Sequence, residues 1–287
     1  MPFPNNQNTN WNDEFYANLV VASEMAAYEN SIARQLVSVY DVPLNAGKTV
    51  QVPIWGSVSA SIITDEADAT LSQTTSTSAN IDLTEHVVYR QITNMLQDSA
   101  YGNVMADLGE ASGMAIAESL DTQVFSKFAN FSSDLGSTST ELTVDMLLRA
   151  GATLRARKLT GPFVAVVHPQ CAYNLKKQLT YSAQTNIPTL SGVGEGVLSS
   201  FYIGGVAGIQ VLESSLVAAD STGGATAFVN GVFARSALGH AMRGGIDLKT
   251  LYLPKSRATD MVMTAVAGAA VLQSTHGIKL TAEGVIN

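Results

Sequence analysis

The chain has 287 residues, enough for one large domain or two smaller ones, and only 14% of them are charged, compared with about 25% in ordinary soluble domains. The net charge of −8 is uneven: residues 1–134 hold four basic and sixteen acidic residues (net −12), and residues 135–287 hold twelve basic and eight acidic residues (net +4). Neither half is basic enough for tight nucleic-acid binding, and the single cysteine excludes an intramolecular disulfide. The asymmetry fits either chance variation of solvated surfaces or copies that meet acidic half to basic half.

The N-terminus and the longest apolar run bear on location. Residues 1–11 are polar, rich in Asn and without the basic and apolar regions of a secretory signal, so they predict a flexible arm. The longest apolar run, residues 261–272, has 12 residues, whereas a membrane-spanning helix needs about 20. We therefore expect a protein that is made in a cytoplasm and does not insert into a membrane.

Two predicted strands flank a long polar segment. Alternating apolar residues predict strands over 48–55 and 81–92, which would pair as an antiparallel hairpin with residues 55–80 as its tip. The apolar stripe of this hairpin is thin, and an isolated two-stranded hairpin is marginal in water. No nearby segment is an obvious cover, so we expect a neighbouring subunit to cover it.

The tip of this hairpin is unusual in length and composition. Of its 26 residues, eleven are Ser or Thr, three are acidic (Asp65, Glu66 and Asp68) and none is Lys or Arg. Connections beyond about 15 residues without structure of their own are uncommon in compact domains and are usually functional or disordered.

A long helix is predicted next. The spacing of apolar residues over 98–128 indicates a helix of about 30 residues, which would be about 45 Å long. Gly102, Gly109 and Gly113 weaken this helix and also let another backbone approach closely.

The second half of the chain mixes helices and strands. "LTVDMLLRAGATLRARKL" predicts a helix capped by Thr143, "PFVAVVHP" a short buried strand and "QCAYNLKKQL" a further helix. The side chains expected to face inward from the first of these helices are Val144, Leu147, Leu148, Gly151 and Leu154. Further strands are predicted at "IQVLES", "GIDLKTLYL", residues 261–272 and "GIKLTA", while "AFVNGVFARSALG" fits a strand or a helix.

Motifs for catalysis, metals and cofactors are missing from the sequence. The four histidines have no ligand spacing with one another or with Cys171, and no phosphate-binding or dinucleotide-binding loop occurs, so we expect no cofactor. His168 ends a predicted strand three residues before Cys171, which leaves a Cys–His nucleophilic pair as an alternative. A His–Pro turn with a buried cysteine behind it is favoured, because no orienting Asp or Asn is placed with the pair.

The order of elements and four stretches of sequence carry a resemblance. "VPIWGSVSASIITDEADATLS" resembles an E-loop, and "ITNMLQDSAYGNVMADLGEASGMAIAESLD" resembles the passage from an E-loop into a spine helix. "GPFVAVVHPQCAYNLKKQL" and "IGGVAGIQVLESS" resemble elements of an A-domain. Together these stretches resemble the major capsid protein of tailed bacteriophages, the Hong Kong 97-type fold. The resemblance is one of pattern and runs from about residue 12 to the end of the chain.

The resemblance implies an α+β Hong Kong 97-type fold with five parts: an N-arm (1–46), an E-loop hairpin (47–92), a P-domain with the spine helix (93–138), an A-domain (139–244) and return strands (245–287) of both domains. It implies copies that assemble as pentamers and hexamers into the icosahedral head of a virion. The head would enclose double-stranded DNA without sequence-specific binding, and the protein would not be an enzyme.

The resemblance also implies contacts between subunits. The E-loop would lie over the next subunit, where Asp65, Glu66 and Asp68 at its tip would meet basic residues. The candidate basic residues of the neighbour are Arg149, Arg155, Arg157, Lys176 and Lys177. Gly102, Gly109 and Gly113 would be flex points of the spine helix during maturation.

One departure from the family changes the expected chemistry of the shell. Some members join an E-loop lysine to an asparagine of a neighbour, but residues 49–126 contain no lysine, which excludes such an isopeptide bond from the E-loop beyond Lys48. We therefore expect a shell held non-covalently, by overlapping arms and E-loops or by a separate cement protein. Separate scaffolding and portal proteins are also expected, unless a scaffolding segment was cleaved away.

Three alternatives remain at this point. An encapsulin-type nanocompartment has the same fold and encloses enzymes, so particle contents would distinguish it. A cytoplasmic hydrolase that uses Cys171 and His168 would be a monomer or small oligomer. A minor shell or tail protein would not close into an icosahedron alone.

Overall fold

The computed structural model describes residues 31–56, 74–95, 104–180, 205–206, 208–220 and 226–284, together with the single positions 58, 60, 62, 68 and 71. The predicted N-terminal arm up to residue 30 and most of the hairpin tip lie outside the described residues. None of the helices within the described ranges is both long enough and apolar enough to cross a membrane.

The described residues form helices and strands in both halves of the chain. The helices are α1 (Ala33–Leu36), α2 (Val104–Phe125), α3 (Val144–Ala156) and α4 (Pro169–Thr180). The strands are β1 (Ser38–Val42), β2 (Thr49–Trp55), β3 (Ser76–Asp82), β4 (Thr84–Thr93), β5 (Asp134–Glu141), β6 (Phe163–Val167), β7 (Gly205–Val206), β8 (Ile209–Glu213), β9 (Ala219–Asp220), β10 (Ala227–Ala234), β11 (Leu238–Leu253), β12 (Ala258–Val271) and β13 (Gly277–Glu283).

A four-stranded sheet in the order β1-β11-β12-β4 forms the elongated part of the fold. Its two long central strands pair antiparallel, with a register shift between Arg243 and Asp247. Helix α2 packs on one face of the sheet, where Ile116 and Leu120 join Ile92 and Met263 in one buried cluster. This burial holds the helix in place, since removal of apolar surface from water is the main favourable contribution to packing.

Helix α2 is the predicted long helix, with a shorter described span. Its 22 residues extend about 33 Å at 1.5 Å per residue. The helix ends at Phe125 and tightens into a 3₁₀ turn over Ser126–Asn130, so the predicted end at residue 128 falls within that turn. Apolar side chains three or four residues apart lie on the side of α2 that faces the sheet. The periodicity of the sequence therefore predicted this helix correctly.

The hairpin differs from its predicted pairing. Strand β2 pairs antiparallel with β3, from Thr49 opposite Asp82 to Trp55 opposite Ser76. The segment predicted as one strand over 81–92 is broken at Leu83, whose N–H donates to the carbonyl of Lys48 at 2.9 Å. After this break β4 leaves the hairpin and forms ten residue pairs with β12, because pairing within a larger sheet buries one of its faces under α2.

The base of the hairpin is covered by its own chain. Ile81 and Leu83 are buried in a cluster with Val42 and Ala241 of the four-stranded sheet. The expectation that a neighbouring subunit covers the hairpin is therefore wrong for its base. Farther out, Trp55 remains 69% exposed.

A second sheet forms the compact part of the fold. Its strands lie in the order β5-β13-β10-β6-β8-β7, with β9 paired to β10, and its core includes Phe128, Phe233 and residues of α3 and α4. Thr143 caps α3 as predicted, because its Oγ1 accepts a hydrogen bond from the N–H of Met146 at 3.2 Å. Leu148 was expected to face inward, but it is 47% exposed, since it lies just beyond the buried side of α3.

Candidate inter-subunit surfaces

Two apolar surfaces of the described residues face solvent. On the hairpin and its tip, Trp55, Val58, Ile62 and Leu71 are between 64% and 101% exposed. Asp68, the described member of the predicted acidic trio, is also exposed, while Asp65 and Glu66 lie outside the described residues. The hairpin and its tip therefore carry exposed apolar side chains and at least one exposed carboxylate.

The second surface is the face of the four-stranded sheet opposite α2, which we call the open face. Val87, Tyr89 and Leu251 are exposed on it by 53%, 58% and 64%. Val87 and Tyr89 lie on β4 and Leu251 lies on β11, with β12 between these two strands. Single exposed apolar residues are ordinary on protein surfaces, but several on one face of a sheet are typical of an interaction site. Sequence analysis missed this surface because it assigned residues 81–92 to the hairpin.

A buried carboxylate fastens the start of the described chain to α2. Asp121 is 3% exposed and accepts hydrogen bonds from Ser31 Oγ (2.7 Å), Ile32 N (2.9 Å) and Ala33 N (3.3 Å). Burial raises the pKa of Asp121, and these three hydrogen bonds oppose that rise. These hydrogen bonds hold the segment that begins at Ser31 against the long helix.

Two histidines lie between α2 and its sheet. His86 Nδ1 is 2.7 Å from Ser119 Oγ on α2. His240 is 2% exposed, and its Nδ1 has no hydrogen-bond partner. Burial, with smaller contributions from the charges of Arg34 and His86, lowers the pKa of His240 to about 4. His240 is therefore neutral at physiological pH and acts as part of the packing.

The arrangement of Cys171 and His168 does not form a nucleophilic pair. Cys171 is fully buried, and its Sγ lies 3.7 Å from the carbonyl oxygens of Ala282 and Glu283. Burial raises the pKa of the Cys171 thiol, which disfavours the reactive thiolate. His168 Nδ1 accepts a hydrogen bond from the N–H of Gln170 at 3.3 Å. The His168 ring stacks on the ring of Phe228, with 3.5 Å between the ring centres. The geometry matches a turn with a buried cysteine behind it.

Metal binding has no basis in the described part of the chain. Within it, no three His, Cys, Asp or Glu side chains converge to form a site.

No family model and no curated protein matches the sequence, but solved structures do. The capsid protein of Cyanophage P-SCSP1u is 17% identical with a TM-score of 0.68, over 87% of each chain. The capsid protein of Ralstonia phage GP4 is 10% identical with a TM-score of 0.69, over 88% of each chain. The chain has the Hong Kong 97-type capsid fold. The predicted α+β fold class is thus confirmed.

A further structure with similarity to this capsid fold is a virus-like particle from Pyrococcus furiosus. It is 14% identical, with a TM-score of 0.59 over 93% of this chain and 99% of its own. Its TM-score is lower than those of the two phage capsid proteins.

In the capsid fold of this chain, all five predicted basic contact residues have partners in their own subunit. Arg149 pairs with Asp145 and Lys176 pairs with Glu213, both at 2.7 Å. Arg157 donates to the carbonyl of Thr275 and to Ser133 Oγ, and Arg155 and Lys177 also have interactions. A contact from a neighbour would therefore have to compete with these existing ones.

The predicted flex points lie partly within α2 of the capsid fold. Gly109 and Gly113 are buried in an uninterrupted helix, and Gly102 lies outside the described residues. Their role as flex points stays a prediction.

Proposed function

We propose that this chain is the major capsid protein of a tailed bacteriophage. Copies would assemble as pentamers and hexamers into an icosahedral head that encloses double-stranded DNA. The observation that carries the proposal is the match of most of the chain to phage capsid proteins of nearly the same length. The protein would reside in the virion and have no enzymatic activity, and the buried Cys171 argues against the hydrolase alternative.

The proposed parts of the subunit keep the bounds that the resemblance implies. The N-arm would comprise residues 1–46, the E-loop 47–92, the P-domain 93–138, the A-domain 139–244 and the return strands 245–287. Within the E-loop, β2 and β3 are the paired arms, and β4 belongs to the sheet under α2.

The exposed apolar side chains of the hairpin support overlap between neighbouring subunits. Trp55, Ile62 and Leu71 are exposed in the single chain, and burial at an interface would stabilise each by roughly 25 cal/mol for every Å² removed from water. In a closed shell each contact is repeated many times, so contacts that are individually weak would be sufficient to hold the shell together. Because residues 49–126 contain no lysine, the overlap would be non-covalent, with or without a cement protein.

Other proteins would be needed to build the head. Separate scaffolding and portal proteins are part of the proposal, as is a shell interior that encloses DNA without reading its sequence. The encapsulin-type alternative keeps one supporting observation, the similarity to the Pyrococcus furiosus particle. The higher TM-scores of the two phage capsid proteins favour the phage head.

Electron microscopy and light scattering of the purified protein test this function. We expect closed polyhedral shells, or rings of five and six subunits, in a series of salt concentrations and with co-expressed scaffolding protein. Boiling in SDS should return single chains, since no isopeptide bond forms. Shells filled with protein cargo rather than DNA would support the nanocompartment, and a monomer under every condition would contradict both.

A further inference from the structure

Strand β4 lies at one edge of the four-stranded sheet. It pairs with β12 along all of its 10 residues, from Thr84 opposite Ala267 to Thr93 opposite Ala258, without a register shift. Its other side, which we call the outer edge, has no partner strand among the described residues. Because the backbone groups of a strand point alternately to its two sides, this edge carries N–H and C=O groups that another strand can pair with.

The sequence of β4 lacks the features by which proteins protect an edge strand. Short length, proline, lysine and bulges usually keep an exposed edge from pairing with another chain. Other described edges have such features: β1 has 5 residues, β2 contains Pro53, and β5 has a register shift and Gly136 at φ 101°. Strand β4 reads TEHVVYRQIT, with no Pro, Gly or Lys. Its outer edge is therefore suited to pairing with a further strand.

The open-face side chains of β4 suit a second copy of the same strand. Val87 and Tyr89 are 53% and 58% exposed in the single chain, and an aromatic residue directly opposite a β-branched one stabilises an antiparallel pair. A second β4 that runs antiparallel, with Val88 opposite its own copy, places Val87 of each chain against Tyr89 of the other. Moving the two-fold axis by one residue in either direction opposes Val87 to Gln91 or Tyr89 to Glu85 instead, so the register centred on Val88 is favoured.

We infer that the outer edge of β4 pairs with the outer edge of β4 from a second copy across a two-fold axis, which joins the two four-stranded sheets into one. The inference rests on the proposed shell function and deepens it. Head-to-tail contacts close a ring of five or six subunits, but they leave neighbouring rings unconnected. A two-fold contact uses the same surface on both copies, closes at two chains and therefore links one ring to the next.

Substitution Val87→Lys tests the contribution of this edge to assembly, because an edge lysine disfavours strand pairing. The unfolding midpoint of the free subunit should stay unchanged, since Val87 is half exposed. The protein concentration needed for shell formation should rise about tenfold, because two cross-strand apolar pairs are lost at each contact. Leu251→Lys is the matched control: Leu251 is an apolar residue of the open face, 64% exposed, but lies on β11, so this variant should assemble as the wild type does.

Disulfide cross-linking tests the register and the symmetry. In a Cys171→Ala background, Val87→Cys together with Tyr89→Cys places cysteines directly opposite each other, with Cα atoms about 4.5–5.5 Å apart, within the range that a disulfide bridges. Oxidised shells should then give two-chain products on a non-reducing SDS gel. Val87→Cys alone is the control and should stay single, because the two copies of residue 87 lie about 8 Å apart.

The size of the cross-linked product distinguishes the possible contacts. Products of three or more chains would indicate a head-to-tail contact and overturn the inference. Shells of the double-cysteine variant without two-chain products, or an equal effect of Val87→Lys and Leu251→Lys on assembly, would also overturn it and leave the proposed function standing. If the wild type never forms shells, the proposed function fails, and the same cross-linking of the concentrated free subunit decides the contact: two-chain products support it and their absence overturns it.

Discussion

Gly268 lies directly against the backbone carbonyl of Asp82, so closely that a Cβ on Gly268 would overlap the carbonyl oxygen. Asp82 ends β3 and Gly268 lies near the C-terminal end of β12, so this is the point where the base of the hairpin crosses the open face. The same crossing buries Ile81 and Leu83 against the sheet. The direction in which the hairpin leaves the subunit therefore depends on a close approach of two backbones.

Substitution Gly268→Ala should disturb the hairpin base. The added methyl group meets backbone rather than a flexible side chain, so we expect a loss of about 1–3 kcal/mol in the free energy of unfolding, as for overpacking of a core. Urea unfolding measures this loss, and shell formation should fail because the hairpin is displaced. Gly205→Ala is the control, since its Cβ would have only an ordinary contact of 3.7 Å. Equal stability of the two variants would contradict the crossing.

Substitution Asp121→Ala should release the segment that begins at Ser31. It leaves one hydroxyl and two backbone N–H groups unsatisfied, and each such buried group costs about 1–3 kcal/mol. Limited proteolysis should then cut near residue 31 at lower protease concentration than in the wild type. The exposed Glu118 lies one turn earlier on α2, and Glu118→Ala should keep the wild-type cleavage pattern. Identical digestion of both variants would show that Asp121 does not hold this segment.

His240 should make the subunit less stable in acid. Its folded-state pKa is lowered to about 4 from 6.5. Between these two pH values the unfolded chain therefore binds a proton that the folded chain does not bind. Stability is complete above pH 6.5, falls as the pH drops towards 4 and then levels off, with a total loss of up to about 3 kcal/mol. Chemical unfolding between about pH 7.5 and 4 measures this slope, because the histidine responds over this range.

His240→Gln removes the ionisable group and should flatten that slope. His168 and His276 also have a pKa lowered chiefly by burial, and they remain in the variant, so the difference between the two curves isolates His240. His168→Gln is the control and should change the slope less, because its side chain is less buried. Parallel curves for wild type and His240→Gln would refute the assignment.

Cys171 should be unreactive in the folded protein. Burial both covers its sulfur and raises the pKa of its thiol, so a thiol reagent should modify it slowly in buffer and rapidly in urea. Cys171→Ala should cost about 1 kcal/mol of stability, a typical value for a point substitution, and leave assembly intact. Rapid labelling of the folded chain, with turnover of an ester that Cys171→Ala abolishes, would instead support the hydrolase.

Several elements were predictable because their causes lie within a few residues. The cap at Thr143, the buried strand before His168 and the helix that carries Cys171 all appear as expected. Hydrogen bonds between a cap and the first turn, and a repeat of 3.6 or 2 residues, act over short distances along the chain. The long helix was predictable for the same reason, although its described bounds are narrower.

The errors arose where a choice between distant partners decided the structure. Residues 81–92 have a continuous alternation that fits one strand of a hairpin, yet the chain breaks at Leu83 and β4 pairs with β12, about 170 residues later. Leu148 follows the helical spacing of buried residues but lies beyond the edge of the core. Periodicity shows which side of an element is apolar, but it does not show what will cover that side.

By itself, the sequence determined the order of elements, the local caps, the absence of lysine from residues 49–126 and the uneven charge. Only the tertiary structure decided which strands the two arms of the predicted hairpin pair with, which basic residues are already engaged, and that the buried Asp121 accepts hydrogen bonds from residues 31–33. The physical reason is that local preferences follow from the backbone and its nearest side chains. Burial and pairing of a charge depend instead on contacts between segments far apart in the chain, which exist only once the whole fold has formed.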